Sequence, residues 1–349
     1  LRTTPASASR RHFVDHSGVK TAFTPAWPWR HHHIQSILPS LLPHWRLRRR
    51  AAAMLSASRE LLLDCGDGVR LQAFHARPGG ALKGSAILLH GWEGSADSYY
   101  VVSLATRLFE AGVEVVRLNL RDHGDTHHLN EHIFHSCRLD EAVGAVAALA
   151  PQLVAPPWLV GFSLGGNFML RIAASQAPHL PRLAKVVAVS PVLHPGTAML
   201  AMEQGWQVYQ SHFVRKWSRS LRRKRELWPK TEVDETFFGM RDLRRMTAAM
   251  VEKYTGFADI DAYLDGYAVT GERLATLHAP AVILAALDDP IIPAHDLARL
   301  AASPNLRVVT VPHGGHMGFM RTPWSESWVN RFVLDELGLD AESLQLQTA

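Results

Sequence analysis

Between residues 61 and 193 short apolar runs alternate with segments of helical period. Leu61-Leu62-Leu63 and Val69 to Phe74 flank the turn Gly66-Asp67-Gly68, the pattern of a β-hairpin. Ser85 to Leu89 reads as a short buried strand. Val101, Leu104, Ala105 and Leu108 then recur on one helical face, and Gly112 closes that helix. A strand over Val113 to Leu120 follows, and Leu139, Ala142, Val143 and Val146 mark the next helix. Trp158 to Val160 (strand), Gly166 to Ala174 (helix) and Lys185 to Val189 (strand) continue the series. Residues 194–278 break the rhythm with longer helical segments rich in charge, Met and aromatics. It resumes with strands at Ala281 to Leu287 and Leu306 to Val311, a helix around His295 to Ala302 between them, and a last helix from about Trp324 to Leu337. Alternating strands and helices predict an α/β chain with a mostly parallel sheet and helices on both faces. The hairpin adds an antiparallel edge, and 194–278 is a helical insertion after the sixth strand, over the top of the sheet. The expected division is a polar, disordered lead (1–20), an irregular N-terminal extension packing on the body (21–60), a core (61–193 and 279–340) and the inserted cap (194–278).

Composition narrows the class. At 349 residues, 47% hydrophobic and 20% charged, the chain reads as a globular enzyme able to bury a core without staples. Two cysteines, Cys65 and Cys137, make no disulfide framework, so a reducing, cytoplasmic setting is expected. The net charge of +5 is modest, with local excess at Arg46 to Arg50 and Arg215 to Arg225. Both runs read as solvated faces. The sharper alternative is attraction to anionic lipid or an acidic partner, with Ile34 to Arg50 as a candidate amphipathic anchor for peripheral membrane contact. No nucleic-acid motif accompanies the charge. No apolar run is long enough to span a bilayer, and Leu1 to Lys20 lacks a secretory apolar core.

The chemistry centres on Gly161-Phe162-Ser163-Leu164-Gly165, a G-x-S-x-G at the turn between an apolar strand and a helix. A serine needs a base to take its proton and an acid to orient that base, in the chain order Ser, Asp or Glu, His. The acid candidates are Asp288 and Asp289, just past the strand Ala281 to Leu287. Asp289 is preferred on its spacing to Pro293, with Asp288 holding the loop. The base candidate is His316 in Pro312-His313-Gly314-Gly315-His316-Met317-Gly318-Phe319, deeper in a glycine-rich loop than His313. Oxyanion donors are expected from the amides of Leu164 and of Trp92 in His90-Gly91-Trp92-Glu93-Gly94, with His90 stabilising the loop. His128, His132 and His135 have helical spacing, yet no H-E-x-x-H or cysteine pairing turns them into a metal site, and none is expected there or at His31 to His33. Met199, Met202, Trp206, Tyr209, Phe213 and Trp217 form an apolar stripe on an inserted helix, either plain core or the wall of an acyl pocket.

Together these segments resemble the α/β-hydrolase superfamily, and within it the YheT-type branch of hydrolases and carboxylesterases. The likeness rests on Phe23-Thr24-Pro25-Ala26-Trp27, His33-Ile34-Gln35-Ser36-Ile37-Leu38-Pro39-Ser40-Leu41, His90-Gly91-Trp92-Glu93-Gly94-Ser95, Gly161 to Asn167, Asp288-Asp289-Pro290 and Gly314 to Phe319. It covers roughly residues 21–335 and implies an α/β-hydrolase fold, a Ser163–Asp289–His316 triad, no cofactor, and ester or thioester substrates. The Arg121-Asp122-His123-Gly124 loop and the basic Arg215 to Arg225 stretch depart from that branch. The expected activity is hydrolysis of carboxylic esters, including lipid-like ones. Alternatives are acyl transfer to an alcohol, esterase action at a lipid surface, and a binding protein on an inactive hydrolase scaffold.

Overall fold

The computed structural model describes residues 23–230 and 233–339. The disordered lead expected over 1–20 lies outside them. Eight strands make one sheet: β1 (Ser58–Asp64), β2 (Arg70–Ala76), β3 (Ser85–Leu89), β4 (Glu114–Leu118), β5 (Trp158–Phe162), β6 (Lys185–Val189), β7 (Ala281–Ala286) and β8 (Leu306–Val311). Their spatial order is β1-β2-β4-β3-β5-β6-β7-β8. The β1–β2 hairpin pairs antiparallel from Ser58↔Ala76 to Asp64↔Arg70, and β2 pairs antiparallel with β4. All pairings from β4 to β8 are parallel. β3 and β4 are buried at every position, which explains the apolar run of β3; β4 also buries Glu114, paired with His75 and Arg77, and Arg117, paired with Asp97.

Successive residues of the central strands feed opposite layers. Ile87, Leu89, Leu159 and Ala188 face a layer that includes Ala142, Val146, Phe168 and Ile172 of α4 (Leu139–Leu149) and α5 (Leu164–Ala174). Ala86, Leu88, Val160 and Val187 face Met54, Val101, Leu108 and Phe332 of α2 (Trp45–Ser56), α3 (Tyr99–Glu110) and α10 (Trp328–Glu336). The period-2 strand pattern thus meets helices on both faces. After β6 the chain leaves the sheet for α6 (Pro195–Gln204), α7 (Gln207–Leu227), α8 (Leu243–Tyr254) and α9 (Ile260–Gly266), and returns at β7.

Four expectations are corrected. The described part of residues 21–60 is not irregular: it holds a 3-10 turn (Trp27–Arg30), α1 (His32–Leu41), all of α2 and the start of β1. Pro39 lies inside α1 and arginines crowd α2, which hid both periods. The helix around His295 to Ala302 is a 3-10 segment, Ala294–Arg299. The last helix starts at Trp328, because Ser325 Oγ accepts from the amides of Arg321 and Thr322 and closes a separate turn first. The apolar stripe of the insertion spans two helices broken at Gly205–Trp206, with Met199 and Met202 on α6 and Tyr209, Phe213 and Trp217 on α7.

Candidate active site

β5 ends at Phe162 and α5 begins at Leu164, so Ser163 alone makes the turn, at φ 52° and ψ −119°. That is a left-handed conformation a side-chain-bearing residue adopts at a cost of about 1–3 kcal/mol. The surroundings hold it there: Ser163 N–H donates to Val189 O at 2.9 Å, and Ser163 O accepts from Asn167 N at 3.1 Å. The flanking glycines are required by space. A Cβ on Gly161 would collide with the carbonyl of Gly165, and one on Gly165 with the carbonyls of Leu89 and His90.

Two loops at the carboxyl ends of β7 and β8 meet this serine. His316 Nε2 lies 3.0 Å from Ser163 Oγ, and His316 Nδ1 lies 2.9 Å from Asp289 Oδ2. The carboxylate can only accept, so Nδ1 carries the ring proton and Nε2 faces the hydroxyl as an acceptor. Asp289 is fixed in turn, its Oδ1 accepting from Ile291 N at 2.8 Å and Ile292 N at 3.0 Å. Asp288 points elsewhere, accepting from Gly315 N at 2.9 Å, with His313 Nδ1 3.4 Å from its other oxygen. The structure thus brings Ser163, His316 and Asp289 into one chain of contacts and leaves Asp288 and His313 beside it.

The β3 loop faces the same serine. The amides of Trp92 and Leu164 have no hydrogen-bond partner among the described residues. Gly91 sits against Ser163, with 3.2 Å from its would-be Cβ to the serine Cβ. Three side chains fix the loop: Tyr100 Oη accepts from Gly91 N at 3.1 Å, His123 Nε2 accepts from Glu93 N at 3.1 Å, and Lys216 Nζ donates to Glu93 O at 2.9 Å. His90 donates from Nδ1 to Gly91 O and accepts from Leu120 N, so both its nitrogens are used. Burial holds His90 well below the usual histidine range and lowers His123 to about 4, which keeps both rings neutral. Burial also pushes the Glu93 carboxyl up to about 7, against the pull of Lys216.

Over Ser163 lies a cavity of about 90 Å³, walled by Met199, Met202, Phe213, Trp217, Met250 and Ile292. Of the apolar stripe, these Met and aromatic residues line the cavity. Tyr209 instead places its Oη 2.8 Å from His33 Nδ1, and Trp206 is half exposed beside the His33 ring. The cap is anchored by Lys224, which the basic run Arg215 to Arg225 led us to place in solvent. It is fully buried, donating to Asp122 Oδ1 at 2.6 Å, His127 O at 3.2 Å and Asn130 O. His128, His132 and His135 do not share a helix: His128 ends a 3-10 turn and the others lie in the loop beyond. Among the described residues no group of three or more His, Cys, Asp or Glu is placed to hold a metal.

α1 supplies contacts that the sequence reading assigned to no role. Ser36 Oγ accepts from His316 N at 2.8 Å and donates to His32 O at 2.7 Å. Gln35 is fully buried, donating to Trp29 O at 2.6 Å and Met320 O at 2.8 Å and accepting from Met320 N at 2.9 Å. A Cβ on Gly315 or Gly318 would run into α1, so the glycines permit this approach.

Fold and site define a class. The chain belongs to the alpha/beta hydrolase fold family, whose model matches residues 87–323. It is 28% identical over 306 residues to the Escherichia coli (strain K12) protein named "Putative esterase YheT", covering 85% of this chain and 87% of that one. It is 22% identical to phospholipase ABHD3 of Bos taurus, covering 69% of this chain and 59% of that one. Among solved structures, the Pyrococcus furiosus esterase Pf2001 superposes with a TM-score of 0.53 at 13% identity, covering 83% and 95% of the two chains; that likeness speaks to the fold alone. No helix among the described residues is long and apolar enough to cross a membrane.

Proposed function

We propose that the protein is a serine esterase that cleaves carboxylic esters through an acyl-enzyme. The observation that carries this reading is His316 bridging Ser163 Oγ at 3.0 Å and Asp289 Oδ2 at 2.9 Å. His316 Nε2 takes the hydroxyl proton as Ser163 Oγ attacks the ester carbonyl, and Asp289 orients the resulting imidazolium and stabilises its charge. The carbonyl oxygen becomes an oxyanion facing the unpaired amides of Trp92 and Leu164. Collapse breaks the carbon–oxygen bond, and the leaving alcohol receives the proton from His316. Water, deprotonated by the same imidazole, then attacks the acyl group and returns Ser163. No cofactor enters these steps. The related proteins are named esterases and phospholipases, which favours ester substrates, lipid-like ones included.

The apolar cavity takes the acyl chain. At about 90 Å³ it is small, which favours a short to medium acyl group over a long one. Cys65 and Cys137 are both free thiols, pushed up to about 12 and about 11 by burial, and are consistent with a reducing cytoplasm. Hydrolysis of a p-nitrophenyl ester series tests the reading: turnover should peak at medium chain length. Ser163→Ala should lose on the order of 10³-fold or more. Turnover by that variant near wild type would overturn the assignment, and product analysis with added alcohol reads out any acyl transfer.

A further inference from the structure

Residues 23–58 contain five arginines and not one carboxylate, so this stretch alone carries as much positive charge as the whole chain has in excess. Helix α2 turns Ala51 and Met54 to the core and presents Trp45, Arg46, Arg48 and Arg49 outward. Arg50 is engaged with Glu110 and Glu326. Arg46, Arg48 and Arg49 meet no carboxylate among the described residues.

Large apolar side chains stand exposed beside these arginines. Trp27 is 82% exposed, Trp324 65% and Trp45 52%. They are neighbours in space: the Arg46 guanidinium lies 5.1 Å from the Trp45 ring and 5.9 Å from the Trp324 ring. Ala26 N donates to Arg321 O at 3.0 Å and so brings the turn that starts at Trp27 against the Trp324 turn. Single exposed apolar residues are ordinary, but three clustered indoles mark an interaction surface.

The chemistry of that surface selects the partner. Indole rings settle at the headgroup level of a bilayer, and guanidinium groups pair with lipid phosphates while their stems lie on apolar material. A second copy of the chain is disfavoured, because a two-fold contact would press these arginines against their own equivalents. We propose that the face formed by Trp27, Trp45, Trp324 and the arginines of α2 docks this protein on an anionic phospholipid bilayer. The proposal goes beyond the esterase reading, since docking is measured without turnover.

Sedimentation of the full chain with vesicles tests this. Wild type should co-sediment with equimolar phosphatidylglycerol and phosphatidylcholine at low salt, more weakly at high salt, and little with phosphatidylcholine alone. The triple variant Arg46→Gln, Arg48→Gln, Arg49→Gln should partition on the order of 100-fold more weakly. The triple variant Trp27→Ala, Trp45→Ala, Trp324→Ala should lose roughly tenfold or more, including at high salt. Both variants should keep the melting curve of wild type and its turnover of a soluble ester. If wild type turns over no ester yet binds vesicles as described, the esterase reading fails and the docking face stands. Absence of wild-type binding to anionic vesicles at low salt overturns the proposal. So does unchanged binding by both variants, or a concentration-dependent dimer that the tryptophan variant abolishes, or retention on a soluble polyanion without vesicle binding.

Discussion

Ser36→Ala removes one oxygen from a helix that lies outside the sheet, yet it should slow the enzyme. Ser36 Oγ is the acceptor for the backbone N–H of His316, at 2.8 Å, and also the donor to His32 O. Replacing the hydroxyl leaves the His316 amide unpaired beneath α1, a loss of about 1–3 kcal/mol. The fold as a whole does not depend on this bond, so the cost falls on the local arrangement that sets the imidazole 3.0 Å from Ser163. One way for the loop to recover is to lift away from α1 and find water, which withdraws Nε2 from the hydroxyl. At 1.4 kcal/mol for each tenfold in population, kcat should fall about 5- to 150-fold. KM should change less than kcat, because apart from His316 the cavity walls lie on other elements. The assay is steady-state hydrolysis of a soluble p-nitrophenyl ester, with the melting temperature as a control for folding. Ser36→Thr keeps the hydroxyl and should restore most of kcat. A Ser36→Ala enzyme with kcat within about twofold of wild type would refute the claim that α1 positions the catalytic loop.

Acid should unfold the protein early. His90, His123 and His127 are buried and held below the usual histidine range by burial, His123 and His127 to about 4. Their contribution to stability is present above the ordinary value of about 6.5 and is lost as pH falls toward about 4, at up to about 1.4 kcal/mol per pH unit for each ring. Urea midpoints between pH 7 and 4.5 should drop steeply, and a flat profile would contradict this. Lys224→Met leaves Asp122 buried without its cation and should cost about 3–5 kcal/mol, read by urea unfolding. Adding Asp122→Asn should return part of that loss. Met250→Trp narrows the cavity and should shift the preferred p-nitrophenyl ester to a shorter chain; an unchanged chain-length profile would place the acyl group elsewhere.

The parts of this architecture visible in the sequence are those whose cause is local. Gly161 is fixed by a collision with the Gly165 carbonyl within its own turn, and Gly165 by the carbonyls at the end of the neighbouring β3, so the G-x-S-x-G spacing marks the position of Ser163. A short buried run marks β3, and a helical period marks α3, which buries one continuous face. The order of Asp289 and His316 after β7 and β8 follows from the sheet. What escaped reading has a long-range cause. Ser36 and His316 are 280 positions apart, and neither residue type announces the other. Lys224 sits in a run of arginines that reads as a solvated face, and only the fold shows that the Asp122 loop encloses it. The interruption at Gly205–Trp206 splits an apolar stripe that a helical period would carry straight through. Pro39 masks α1, which braces the His316 loop from outside the sheet.

Covalent labelling with a fluorophosphonate probe tests the central claim most directly, because it asks which atom of the chain is the activated nucleophile. Peptide mass spectrometry should find a single adduct, on Ser163, absent in Ser163→Ala and formed on the order of 10³-fold more slowly in His316→Ala. An adduct on another residue, or a labelling rate untouched by loss of the His316 imidazole, would contradict the assignment.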